Sequence, residues 1–208
     1  MRNEDSGEVP DAGPAQNRST GGVYDDAVET ATDENDWTWT LSSRCPDCGF
    51  AAGEVPVESI SGWIRTATAP WAQVLADPGV RNRPQPQIWS PLEYACHVRD
   101  VCRVFDARLA LLLDEDDPLF ANWDQDEAAI RDHYDQAVPE QVAAEISAAA
   151  AALAAAYAAV DGPTWGRRGR RSNGSTFTVA TLGQYALHDL VHHAWDVGAG
   201  VTPEDHRG

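Results

Sequence analysis

From Pro139 to Val160 the chain carries little besides strong helix formers, most of them alanine. A run with no turn chemistry and few branched side chains is committed to one long helix. Val142, Ile146, Ala149, Leu153 and Tyr157 recur along it at helical spacing and define one apolar stripe. A stripe of that kind must be buried against other elements, and the chain supplies them. In residues 56–76, Ile60, Ile64, Ala67, Trp71, Val74 and Leu75 keep the same spacing, with Pro70 expected to bend the element. Ser90-Pro91-Leu92-Glu93 reads as a helix start, with a capping hydroxyl, a proline at the first position and a glutamate that closes a capping box. Leu92, Ala95, Val98, Cys102, Phe105, Leu109 and Leu112 continue that helix to about Leu113, and the acidic run to Pro118 stops it. Residues 123–136 predict a short helix. Residues 164–177 predict a loop or hairpin around Asn173-Gly174. A last helix is expected from the cap Thr178 to Val197, with Gly198 as its stop. Four long helices, with a long crossover between the second and third, predict an all-α bundle.

The bundle is expected over residues 56–200. Ahead of it, residues 1–35 are acidic and poor in large apolar side chains, which predicts a disordered tail. Residues 36–55 form an extension with a tight Cys45-Pro46-Asp47-Cys48-Gly49 turn, and residues 201–208 are expected to fray. The 33 acidic residues against 15 basic ones give a net charge of -18, which argues against nucleic acid and anionic membrane surfaces as partners. No run of about 18 consecutive apolar residues is present, so no membrane span is expected. The N-terminus lacks the apolar stretch of a signal peptide, and the cytoplasm is the expected location. Every basic residue is arginine, the mark of a GC-rich genome and of an actinobacterial source.

The chemistry concentrates in Leu187-His188-Asp189-Leu190-Val191-His192-His193. On a helix His188 and His192 share a face, an arrangement that grips transition metals, whereas His193 is turned away from both. His97, one to two turns into the second helix, is the candidate third ligand from a facing element. Each histidine taken alone reads equally well as a surface or core residue.

Two segments carry a family resemblance. Trp89–Val101, with His97, resembles the second helix of the DinB-like superfamily, and Tyr185–Val197 resembles its last helix. That superfamily includes mycothiol-dependent maleylpyruvate isomerases and other thiol S-transferases. The resemblance implies an up-up-down-down four-helix bundle. It also implies a divalent metal on one histidine of the second helix and two of the last, carried over here to His97, His188 and His192. Zinc is the first expectation for the ion, with nickel, iron and manganese as alternatives. By analogy the ion would lower the pKa of a small thiol, mycothiol in an actinobacterium. The partner is a small-molecule substrate, and a homodimer is an expectation from the helical surface and the tryptophan content.

Other residues have two readings each. Glu93 and Asp196 stand four residues from His97 and His192 and could orient a metal-bound imidazole; otherwise Glu93 belongs to the capping box and Asp196 to an exposed helix end. Arg167, Arg168, Arg170 and Arg171 form either an anion clamp for substrate or a solvated basic loop. Cys45 and Cys48 read as half a zinc knuckle short of two ligands, as a redox pair, or as buried thiols. Three functions follow: a metal-dependent thiol transferase or isomerase, a metal-dependent hydrolase or lyase, and a metal-stabilised binding or stress protein.

Overall fold

The computed structural model describes residues 37–201; the acidic segment 1–35 and the chain from 202 onward lie outside the described residues. Six helices are formed: α1 (Ile60–Thr68), α2 (Trp71–Val74), α3 (Pro91–Asp114), α4 (Gln125–Arg131), α5 (Pro139–Ala158) and α6 (Val179–Asp196). Pro70 separates α1 from α2, as its fixed φ and missing N–H require. At the start of α3 the Ser90 hydroxyl accepts from the Glu93 N–H at 3.3 Å, and the Glu93 carboxylate accepts from the Ser90 N–H at 2.8 Å. Thr178 and Thr181 close the equivalent box on α6.

Helices α5 and α6 each pack against both α1 and α3, which makes the four-helix bundle. Ile60, Ile64, Leu109, Leu112, Leu153, Tyr157, Leu182 and Leu187 fill its centre and are almost wholly buried. The closest approach is at Gly183, where an added Cβ would stand 2.8 Å from the Tyr157 ring and 3.0 Å from Ile60 Cδ1. By length and composition alone α5 is apolar enough to cross a membrane, although Glu140, Gln141, Glu145 and Ser147 interrupt its apolar run and it packs against α1 and α3. Alanine registers as apolar yet buries little area. On α5 it covers the outer face, while Val142, Ile146, Leu153 and Tyr157 face the bundle.

Two features depart from the sequence pattern. Within residues 123–136 the helix breaks after α4 and resumes only as a 3-10 turn at Tyr134–Gln136. His133 takes a left-handed φ of 50°, and the chain then turns so that buried Tyr134 donates its hydroxyl to Asp100 Oδ2 at 2.7 Å. Tertiary burial of one aromatic ring overrides the local helical pattern. Second, the hairpin expected around Asn173-Gly174, which consists of β2 (Arg168–Arg171) and β3 (Thr176–Thr178), gains an unexpected two-residue strand, β1 (Leu119–Phe120), in parallel with β2.

The N-terminal extension lies along α6. Its two 3-10 turns, Trp37–Leu41 and Ala52–Glu54, both contact that helix. Gln184 donates to the carbonyls of Gly53 and Val55 at 3.2 and 2.9 Å, and Phe50 meets Trp63 of α1 edge to face at 5.1 Å.

Candidate metal centre

Burial on α6 fixes which of its polar residues face the bundle. The apolar residues Val179, Leu182, Gly183, Ala186, Leu187, Leu190, Val191 and Ala194 are buried and define the inner face. At about 100° per residue, His193 lies about 70° from the centre of that face and Asp189 about 110°, whereas His188 and His192 lie about 150° or more away. The trio His97, His188 and His192 expected from the resemblance is therefore divided. His97 meets Asp189 and His193, while His188 and His192 meet Cys45 and Cys48, and within each group the donor atoms lie within 4.8 Å of one another.

The inner group is compact. His97 Nε2 stands 3.3 Å from Asp189 Oδ1, and His193 Nε2 stands 3.0 Å from the same oxygen. His193 Nδ1 contacts Asp196 Oδ2 at 2.8 Å, which turns the opposite ring nitrogen toward the group. Asp196, expected to orient His192, makes its short contact with His193 instead; its other oxygen is 3.8 Å from His192 Nε2. The His97 side chain is fully buried, while that of Asp189 keeps a quarter of its exposure, so the group is reachable from one side. Trp123 stacks on the His97 ring at 5.2 Å, Trp89 stands 5.5 Å from it, and Tyr94 stands 5.1 Å from the His193 ring.

The electrostatics of the group fit a cation. Burial works to raise the Asp189 pKa, but the hydrogen bonds of His193 and His97 outweigh it and hold the carboxylate well below its usual range. Burial works to lower the His193 pKa, and Asp189 and Asp196 overcome it, lifting the imidazole to about 9. Two carboxylates around one buried imidazole thus favour positive charge there, and a divalent ion would take the place of the proton on His193 Nε2. His97, held low chiefly by burial, offers a neutral ring. The donor set of two imidazoles and a carboxylate leaves a further position on a divalent ion for a water or substrate.

The other expected site residues have structural partners. Glu93 receives Arg83 on both oxygens, with Nε at 2.9 Å, and receives Ser90 as well, so it serves the cap. Burial would raise its pKa, but Arg83 and Ser90 hold it below the usual value. Arg167 donates to the Leu112 and Glu115 carbonyls at the end of α3, and Arg170 pairs with Asp117 at 3.0 Å. Arg171 is buried against Phe177 and Tyr185 and donates to Asn173 and Ser175, while Arg168 is exposed on β2. The four arginines therefore do not form one clamp. A buried arginine absent from the sequence reading, Arg108, lies over Phe105 and Phe120. Burial, and then the like charge of Arg171, lower its pKa to about 10.

The outer group joins the CPDCG turn to α6. Cys45 Sγ lies 3.6 Å from His192 Nδ1, and Cys45 is 1% exposed. Trp37 stacks on His188 at 5.8 Å. Burial lowers the His188 pKa to about 4 and raises that of Cys48 to about 11.

Residues 62–197 match the model of the DinB superfamily. Among solved structures the chain is similar to YfiT from Bacillus subtilis, described as a probable metal-dependent hydrolase with an unusual four-helix bundle topology. The two superimpose with a TM-score of 0.58 at 16% identity, over 68% of this chain and 83% of that one. No curated protein matches the sequence. His97, Asp189 and His193 all fall inside the family match; Cys45 and Cys48 fall outside it.

Proposed function

The chain belongs to the DinB superfamily, and from that premise we propose that it is an enzyme that holds one divalent ion on His97, Asp189 and His193 and acts on a small molecule. The observation that carries this reading is the convergence of His97 Nε2 and His193 Nε2 on one Asp189 oxygen, with Asp196 behind His193. Bound there, a divalent ion supplies a Lewis acid that favours the deprotonated form of a thiol or water. Zinc suits this donor set, and nickel, iron and manganese are also accommodated by imidazole and carboxylate.

The protein's own groups do the rest. Asp196 fixes the His193 ring. Trp89 and Trp123 wall His97 off from water. The Tyr94 ring packs against His193 at 5.1 Å, and burial, with Asp196 and Glu93 adding to it, raises the Tyr94 pKa to about 12, so the phenol is neutral. The first reading is thiol transfer or isomerisation with mycothiol as the thiol. The second is hydrolysis, supported by the description attached to the similar YfiT structure.

The test is turnover by metal-loaded protein. Mycothiol with a maleyl or haloarene electrophile probes the first reading, and activated esters and amides probe the second. Turnover that falls at least a hundredfold, with loss of one metal equivalent, in His193→Ala and Asp189→Asn supports the assignment if circular dichroism is unchanged. Loaded protein inert toward both substrate sets, or variants that keep their metal, would overturn it.

A further inference from the structure

We propose a second metal site, structural rather than catalytic, in which Cys45, Cys48, His188 and His192 bind one zinc ion and clamp the N-terminal extension to α6. The four donor atoms already lie within 4.8 Å of one another. The residues come from two separate parts of the chain, so local sequence constraints alone do not bring them together. The turn carrying the thiols is built for the purpose. The Cys45 N–H donates to the Phe50 carbonyl at 2.9 Å, the Gly49 N–H donates to the Cys45 carbonyl at 3.0 Å, and Gly49 takes the left-handed φ of 73° that turns the chain. Both sulfurs therefore point to one side, as in a zinc knuckle.

The α6 half is equally specific. His188 and His192 are one turn apart on the face opposite the bundle, where a core helix ordinarily carries solvated residues. Here His188 is 5% exposed, and its Nε2 is buried with no hydrogen-bond partner among the described residues. A buried ring nitrogen without a partner costs free energy unless a ligand satisfies it. Two sulfurs and two nitrogens make a closed tetrahedral set, which favours zinc and leaves no position for a substrate. Binding replaces the two thiol protons, which pass to solvent, and no redox change is involved.

The site borders the inner one without sharing a ligand. Asp196 contacts His193 at 2.8 Å and stands 3.8 Å from His192, so the same carboxylate faces both groups. An ion in the outer site holds α6 at the turn that presents Asp189 and His193 to His97.

Cobalt titration of the reduced, chelator-stripped full chain tests this. Two cobalt ions per chain are expected, with a thiolate-to-cobalt charge-transfer band that zinc displaces. The band should vanish in Cys45→Ser/Cys48→Ser with loss of one equivalent, and persist in His193→Ala, which separates this site from the inner one. Because the double variant alters the buried Cys45, wild-type thiol reactivity gives a second readout that needs no substitution: zinc should protect two thiols from a chromogenic disulfide. A cobalt-saturated wild type without the band, or thiols equally reactive with and without zinc, would overturn the proposal.

Discussion

Asp196 is the residue on which the chemistry of α6 turns, because its carboxylate holds the ring that completes the inner donor set. Replacing it with asparagine keeps an acceptor but removes the charge that supports His193. Loss of such an outer partner typically weakens metal binding about 10–100-fold. Competition with a fluorescent chelator should show that loss for the inner ion in Asp196→Asn, and an unchanged affinity would remove Asp196 from the site. The same stretch of α6 shows what the sequence made legible and what it did not. That His97 meets a histidine of the last helix was readable from residue type and spacing, and so was an acidic neighbour for that helix's histidines in Asp196, although its close partner is His193 and not the expected His192. Which residues of that helix His97 meets was not readable, because His188/His192 and Asp189/His193 are both pairs one turn apart. Only the rotational phase of α6 separates them, and it was available: Leu182, Ala186, Leu190 and Ala194 place His193 beside the apolar face and His192 opposite it.

Between elements, the junction of α3 with the 3-10 turn Tyr134–Gln136 is held by Asp100. It accepts from Tyr134 at 2.7 Å and from Arg99 at 2.7 and 2.8 Å, with its side chain 15% exposed. Burial works to raise its pKa, and Arg99 and Tyr134 outweigh that and hold it below the ordinary value. A carboxylate lowered in the folded state stabilises the protein above its unfolded-state pKa, about 3.9, and that contribution is lost as pH falls through the lower folded value. Asp100→Asn should therefore cost about 1.5–3 kcal/mol near neutral pH, the range for hydrogen bonds to charged groups. The gap to wild type should close on acidification, measured by urea unfolding across a pH series. A gap that stays constant with pH would show that the charge is not what stabilises the junction. A second junction, of α1, α5 and α6, depends on Gly183. A methyl group there meets the Tyr157 ring at 2.8 Å and must displace it, so Gly183→Ala should destabilise by about 1–3 kcal/mol. Thermal melts at matched metal content would register the change; an unaltered midpoint would mean that the ring yields at no cost. The helices around these junctions were legible because capping boxes, prolines and the apolar stripe all agree. The strand Leu119–Phe120 was not, since two residues leave no periodicity to detect.

At the scale of the molecule, the bundle and the extension are expected to differ in what holds them. The bundle buries a continuous core from Ile60 to Val191, including Leu109, Leu112, Leu153 and Tyr157. The extension contributes Phe50, Ala52 and Val55 to that core and is otherwise tied by the Gln184 hydrogen bonds and the Cys45/Cys48 turn. An ion that binds only the folded arrangement stabilises it by an amount that grows with the logarithm of its free concentration above its Kd, and the gain falls on the segments that supply ligands. Opening free energies vary across a structure, with weakly packed segments opening first. Removing metal should therefore speed amide exchange in residues 37–55 and at the exposed end of α6 while residues 101–112 of α3 keep their protection. In zinc-loaded Asp189→Asn, which lacks only the inner site, residues 37–55 should stay protected. In Cys45→Ser/Cys48→Ser they should exchange as in stripped wild type. Uniform acceleration along the whole chain on chelation would instead mean that extension and bundle open as one unit, and the outer ion would then be a general stabiliser of the fold and not a clamp on one segment.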